Sequence, residues 1–291
     1  MADFTLNSQD GTRLNGCVFE PPSNPKAVMS LVHGFGEHCR RYADMADFLR
    51  MQDIAVVAID LRGHGQSDGK RGVCRDYGHL REDVEALVEY SAQRFPGLPH
   101  ILYGHSMGGG LVMNYILHGA KGGRQNVAQG LRQEQTVASK FSAIIASAPL
   151  LKLADPVPSP LEFIVRVLRK ITPNLSLSQP ISGEKVSTLS EEKTAYEADP
   201  LNHGRLGVGL AVDMVEAGEW VLSHASEWAL PLLLMHARGD RLTDFSGSAA
   251  FASKAQNCQF IPFENVEHEI HNDKCRAEVY TAMGDFINGH I

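Results

Sequence analysis

Short apolar runs and amphipathic stretches follow one another along most of this chain. Ala27 to Val32 has the length and character of a buried strand and ends at His33-Gly34. Ile54 to Ile59 is a second such run, ending at Asp60 and a glycine-rich turn. Ile101 to Tyr103, Ala143 to Ala148, Leu230 to Met235 and Gln259 to Pro262 are further candidate strands. Between them the period changes. Tyr42, Met45, Ala46 and Leu49 recur at helical spacing, as do Leu80, Val84, Leu87 and Val88. Ser106 to Leu117, Val208 to Leu222 and Arg276 to Ile287 also read as helices. Strands separated by helices need right-handed crossovers, so the expected class is α/β, a mostly parallel sheet flanked by helices on both faces. The first thirty residues differ, because Thr5, Asn7, Arg13 and Cys17 surround Asp10-Gly11, a hairpin signal that predicts an antiparallel start.

Two stretches interrupt the pattern. Residues 118–140 are polar and rich in Gly and Gln, and are expected to form a surface loop. The stretch from Leu151 to Gly204 holds Pro156, Pro158, Pro160, Pro173, Pro180 and Pro200, after which the α/β pattern resumes. It reads as an inserted helical cap. The expected organisation is therefore core 1–150, cap 151–204 and core 205–291.

With 291 residues, 43% hydrophobic and 21% charged, the chain can bury a sizeable core, which excludes disordered and fibrous classes. A net charge of -7 leaves no overall electrostatic footprint for nucleic acid. No apolar run approaches the roughly 20 residues of a membrane span. The Met1-Ala2-Asp3-Phe4-Thr5 start has neither the basic region nor the apolar core of a secretory signal. Cys17, Cys39, Cys74, Cys258 and Cys275 are scattered without metal-ligand spacing, so free thiols and a cytoplasmic location are expected.

The chemistry enters at Gly104-His105-Ser106-Met107-Gly108, a G-x-S-x-G sequence between a predicted strand and a predicted helix. That pattern in that place is the nucleophile elbow of α/β-hydrolases. The flanking glycines are needed because the residues two before and two after the serine nearly touch. The strained turn lifts Oγ clear at a helix N-terminus, where free N–H groups favour an oxyanion. An aspartate in place of Ser106 would be needed for haloalkane dehalogenation.

A serine hydroxyl needs a positioned base. The expected chain order is Ser, then Asp or Glu, then His, each beyond a strand end. Asp240 lies just past the Leu230 to Met235 strand and is the favoured acid. Asp244 stands where the next helix would begin, as an N-cap. In the loop after Gln259 to Pro262, His268 is favoured as base over His271. The backbone N–H groups of Phe35, in His33-Gly34-Phe35-Gly36, and of Met107 are the expected oxyanion hole. The His33 side chain reads as a buried group holding its loop, and Asp60 to Gly69 as a structural turn beneath the site.

Together, HGFGEHCRRY at His33 to Tyr42, DLRGHGQSDG at Asp60 to Gly69, GHSMGG at Gly104 to Gly109, and GDRLTD with VEHEIH are similar to the monoacylglycerol lipase and lysophospholipase group of α/β-hydrolases. Across the cap the likeness is confined to Ala148-Pro149-Leu150 and Asp199-Pro200-Leu201. The resemblance implies the triad Ser106, Asp240 and His268, the oxyanion amides of Phe35 and Met107, and a glycerol head group surrounded by Glu37, Arg41 and His271. A salt bridge between two loops is the plainer reading of Glu37 and Arg41. The implied reaction is hydrolysis of a monoacylglycerol to fatty acid and glycerol, without cofactor or metal. Lysophospholipase, general carboxylesterase, S33-type aminopeptidase and non-catalytic hydrolase-fold receptor are the alternatives.

Within the cap, Ser159-Pro160-Leu161-Glu162 reads as a capping box. The helix after it carries Leu161, Phe163, Ile164, Val165, Val167, Leu168 and Ile171, which cover about 200° of the wheel, twice the stripe one packing surface needs. Phe163 and Ile164 are expected to line an acyl pocket or touch a membrane or lipid surface. Burial of the helix on two sides is the competing expectation.

Overall fold

The computed structural model describes residues 1–128 and 136–291, without the side chains of 120–128 and 159. The N-terminal strands β1 (Ala2–Asn7) and β2 (Arg13–Phe19) pair antiparallel around the Asp10-Gly11 turn, where Gly11 has φ 85° and Asp10 Oδ1 accepts the Thr12 N–H at 3.0 Å. Then come β3 (Ala27–Val32), α1 (Ala43–Arg50), β4 (Ile54–Ile59), α2 (Tyr77–Arg94), β5 (His100–His105), α3 (Met107–Ala128) and β6 (Ala143–Ser147). The next stretch holds α4 (Ser159–Ile171), β7 (Ser176–Ser178), α5 (Ser190–Ala198) and β8 (Arg205–Gly207). The chain closes with α6 (Val208–Ser223), β9 (Leu232–Ala237), α7 (Phe245–Ala252), β10 (Cys258–Phe263) and α8 (Arg276–Asn288).

Eight strands form one sheet in the order β1-β2-β4-β3-β5-β6-β9-β10, parallel from β4 to β10. The central strands are buried on both faces, which is why they read as continuous apolar runs. The alternating side chains divide into two cores. Val28, Val32, Val57 and Leu102 face α2, α3 and α6, whereas Met29, Leu31, Val56 and Tyr103 face α1 and α8. Among the described residues, no helix is long and apolar enough to cross a membrane. All five cysteines are free thiols.

The structure departs from expectation in two places. Helix α3 runs on to Ala128, so the first part of the expected 118–140 loop is helical. The apolar periodicity of the sequence stops at Leu117, and with it the helical signal. Ala120, Lys121, Arg124 and Gln125 are nevertheless good helix formers, and extending a nucleated helix costs little. Residues 129–135 of that expected loop lie outside the described residues, and Val137–Lys140 is a short 3-10 turn. Helix α4 begins at Ser159 with Pro158 as its cap residue, so Ser159 is the first helical residue and not the cap. Pro160 is tolerated at the second helical position because first-turn N–H groups have no intrahelical acceptor. The small sheet of β7 and β8 is antiparallel, pairing Ser176 with Gly207 and Ser178 with Arg205.

Candidate active site

Ser106 stands between β5 and α3 at φ 54°, a left-handed conformation that a non-glycine residue holds only under strain. Its surroundings explain the local sequence. A Cβ on Gly104 would collide with the Gly108 carbonyl, and one on Gly108 with the Val32 and His33 carbonyls. Ser106 is pinned through its backbone, its N–H donating to Ser147 O at 2.9 Å and its carbonyl accepting from Gly110 at 3.0 Å and Leu150 at 2.8 Å. The next loop packs against it, since a Cβ on Gly34 would lie 3.1 Å from Ser106 Cβ.

That loop follows β3 and brings Phe35 beside the elbow. The N–H groups of Phe35 and Met107 have no protein acceptor among the described residues. His33 anchors the loop as expected of a buried histidine. Its Nε2 accepts the Leu61 N–H at 2.9 Å, its Nδ1 donates to Gly34 O at 2.7 Å, and burial lowers its pKa to about 4. Asp60 supports the same loop by accepting from Cys39 N at 2.9 Å and Gln66 N at 2.8 Å.

At the ends of β9 and β10 the structure joins Asp240 to His268. Oδ2 of Asp240 accepts from His268 Nδ1 at 2.6 Å. Oδ1 accepts the N–H groups of Leu242 at 2.7 Å and Thr243 at 3.0 Å. Two partners of Asp240 escaped the sequence reading: Thr243 Oγ1 at 2.9 Å and His236 Nε2 at 3.2 Å, both to Oδ2. Burial pushes the Asp240 carboxyl up, but the His268 charge and these hydrogen bonds prevail and hold it well below its ordinary value. Burial would likewise lower His268, and the facing Asp240 charge reverses this, so its pKa is raised. His268 Nε2 is buried and has no partner among the described residues, and the ring lies 4.7 Å from that of His105, next to Ser106. Asp244 is elsewhere. It caps α7 by accepting the Ser246 N–H at 2.8 Å and pairs with Lys152 at 2.7 Å.

Glu37, Arg41 and His271 gather behind the elbow. Glu37 accepts from Gly34 N at 2.5 Å, Tyr42 OH at 2.7 Å and Arg41 Nε at 3.3 Å. Arg41 also reaches Glu269 at 2.6 Å, a partner on the His268 loop that sequence reasoning missed. The loop-to-loop salt bridge is thus present, with Arg41 between two buried carboxylates. Burial and the Glu269 charge push Glu37 up, whereas Arg41 overcomes burial at Glu269 and lowers it. His271 stacks on Tyr42 with ring centroids 4.7 Å apart, and both its ring nitrogens are unpartnered among the described residues. Burial lowers its pKa to about 4, so it is neutral at pH 7. Phe163 and Ile164 face solvent on α4, 70% and 52% exposed, so the helix is not buried on two sides. No group of three or more His, Cys, Asp or Glu among the described residues is placed to hold a metal ion.

Residues 23–275 match a family profile described as serine aminopeptidase S33. The chain belongs to that family of hydrolases. The hydrolase is 31% identical over 284 residues to a monoacylglycerol lipase of Mycolicibacterium smegmatis, covering 97% of this chain and 95% of that one. It is 31% identical over 273 residues to a human monoglyceride lipase, covering 92% and 84% respectively. The crystal structure of a monoacylglycerol lipase from Paleococcus ferrophilus superposes with a TM-score of 0.80 at 27% identity, covering 96% of this chain and 99% of that one. The hydrolase has the α/β-hydrolase fold and is an ester-cleaving enzyme of the monoglyceride lipase type.

Proposed function

We propose that this hydrolase cleaves monoacylglycerols to a fatty acid and glycerol through an acyl-enzyme on Ser106. The observation that carries the reading is the His268 imidazole, fixed on Asp240 through Nδ1 at 2.6 Å, with Nε2 buried and unpartnered among the described residues and the ring 4.7 Å from that of His105, the residue before the strained Ser106. Ser106 Oγ attacks the ester carbonyl as His268 Nε2 takes its proton. The N–H groups of Phe35 and Met107 hold the oxyanion. His268 returns the proton to the glycerol oxygen, then deprotonates the water that releases the fatty acid. Asp240 orients the ring and stabilises its protonated form. None of these steps calls on a metal or cofactor.

The head group falls to His271, whose ring nitrogens are unpartnered among the described residues, and to Glu37, which is held by Arg41 and joined to Tyr42, the ring on which His271 stacks. Arg41 is already matched by Glu37 and Glu269. An anionic phosphate would meet no spare positive charge there, which favours an uncharged glycerol over a lysophospholipid. Residues 151–204 form the cap in this reading. Leu161, Phe163, Ile164, Val167 and Ile171 make an outward apolar ridge on α4, with Lys170 exposed beside it, suited to transient contact with a lipid surface.

Both parts are tested by one turnover panel of monoacylglycerols, lysophospholipids and aminoacyl amides. Monoacylglycerols are expected to have the highest kcat/KM, and preference for lysophospholipids or amides would overturn the substrate assignment. The double variant Phe163→Ser, Ile164→Ser is expected to keep its rate on a short soluble nitrophenyl ester within about twofold. On vesicle-borne monoacylglycerol it should lose about thirtyfold or more, since each of the two large apolar side chains withdrawn from lipid forfeits on the order of 1 kcal/mol or more. Equal losses on the two substrates would remove the surface-contact role.

A further inference from the structure

The far end of the insert is fastened to the loop that carries the Phe35 amide. His38 Nε2 and Asp199 Oδ2 meet at 2.8 Å, the two side chains only 5% and 24% exposed. Two residues before His38, the Gly36 carbonyl accepts the His203 N–H at 2.8 Å. The approach is so close that a Cβ on Gly36, itself at φ 77°, would collide with the His203 carbonyl oxygen. The His203 and Phe35 rings meet nearly at right angles, centroids 5.7 Å apart, and His203 Nε2 reaches Gly63 O at 3.1 Å.

These contacts matter because of what the loop is made of. Gly34 and Gly36 flank Phe35, and glycine leaves a backbone the widest choice of conformations. An oxyanion donor must sit about 2.7 to 3.1 Å from the developing charge. His33 and Glu37 hold the loop from the core side. On the outer side, the one polar partner of the His38 ring is Asp199, since Nδ1 is buried and unpartnered among the described residues. Asp199 is itself oriented, its Oδ1 accepting the Leu201 N–H at 2.9 Å. Burial raises its pKa, but the His38 hydrogen bond and the Leu201 amide outweigh that and hold the carboxyl below its ordinary value. Its bond to His38 is therefore charge-assisted at neutral pH.

Resting on the oxyanion role assigned above to Phe35, we propose that Asp199 is a positioning residue, which through its hydrogen bond to His38 holds the Phe35 N–H where the oxyanion forms. The insert then contributes to the chemical step as well as to contact with substrate. A shift of its exit strand would be felt at Phe35.

The test compares Asp199→Asn and Asp199→Ala with the unaltered enzyme on a short soluble nitrophenyl ester, with Ser106→Ala as control. Asp199→Ala is expected to lower kcat about tenfold to a hundredfold, with KM within about twofold, in line with a displaced catalytic donor. Affinity for an arylboronic acid, whose tetrahedral adduct fills the same hole, should fall in the same ratio as kcat/KM. Asp199→Asn keeps a neutral acceptor and should lose about threefold to tenfold in both readouts. If the alanine variant does not fold, the asparagine variant decides. A lower melting temperature with kcat and boronate affinity unchanged in the folded enzyme would make Asp199 a stability residue only and overturn the proposal. Turnover by Ser106→Ala would overturn the hydrolase mechanism and the positioning role with it. A dead Ser106→Ala beside unaffected Asp199 variants would overturn the positioning role alone.

Discussion

Replacing Ser106 with alanine is expected to reduce ester hydrolysis by on the order of 10⁶ in kcat, to the level of water and the oxyanion amides alone. The size follows from the proposed mechanism. Without Oγ no acyl-enzyme forms, and His268 and Asp240 have nothing to activate. The fold should hardly notice, because Ser106 is pinned through its backbone N–H and carbonyl, which alanine keeps. The φ of 54° is unfavourable for either side chain, so the strain cancels between variant and parent. Single-turnover assays with a nitrophenyl ester and with a monoacylglycerol, on protein shown to be folded by its melting temperature, check the result. Residual activity above about 1% of the parent would mean that another nucleophile does the work.

The second large effect separates two aspartates four residues apart. Asp240→Asn is expected to cost about 10⁴ in kcat. Its side-chain amide offers one acceptor where His268, Thr243, His236 and two backbone N–H groups converge, so the imidazole loses its fixed tautomer. Asp244→Asn should stay within about twofold, because asparagine caps a helix as well as aspartate and the lost Lys152 pair is partly exposed. The pH profile carries an independent sign. His268 must be neutral to accept the serine proton, so the rate rises as pH climbs through its pKa. Asp240 holds that pKa up against burial, which puts the acid limb of the parent above the ordinary histidine value of about 6.5. In Asp240→Asn burial acts without its main opponent, and the limb should move to lower pH. A larger loss in Asp244→Asn, or a limb that shifts upward, would reverse the assignment.

Much of the site was legible because its signals are local or ordered. Ser106 announces itself through glycines that steric contact demands within five residues, and Asp240 and His268 through their place beyond successive strands. The partners that tune them were not legible. Thr243 and His236 matter because they converge on one oxygen of Asp240, and Glu269 because it shares Arg41 with Glu37 from another strand end. No spacing rule links residues 37 and 269. Helix α5 and the β7–β8 pair were also missed, being short and largely exposed, so their composition carries no strong period.

The polar end of α3 shows the same limit from the other side. Hydrophobic periodicity is the main helix signal in a sequence, and where the residues turn polar the pattern falls silent although the backbone continues. Exposure of Phe163 and Ile164 was equally undecided in sequence, because an apolar arc of about 200° states only that more than one surface is wanted. Linear order and short-range sterics were enough to determine an α/β sheet and a strained turn at Ser106, and to point to Asp240 and His268 as the proposed acid and base. Which carboxylates share Arg41, which amides stay unengaged, and that Asp199 grips His38 across 161 residues were decided only by folding. Such contacts depend on where chain segments converge in space, and a one-dimensional pattern encodes the faces of each element but not the pairing of their loops.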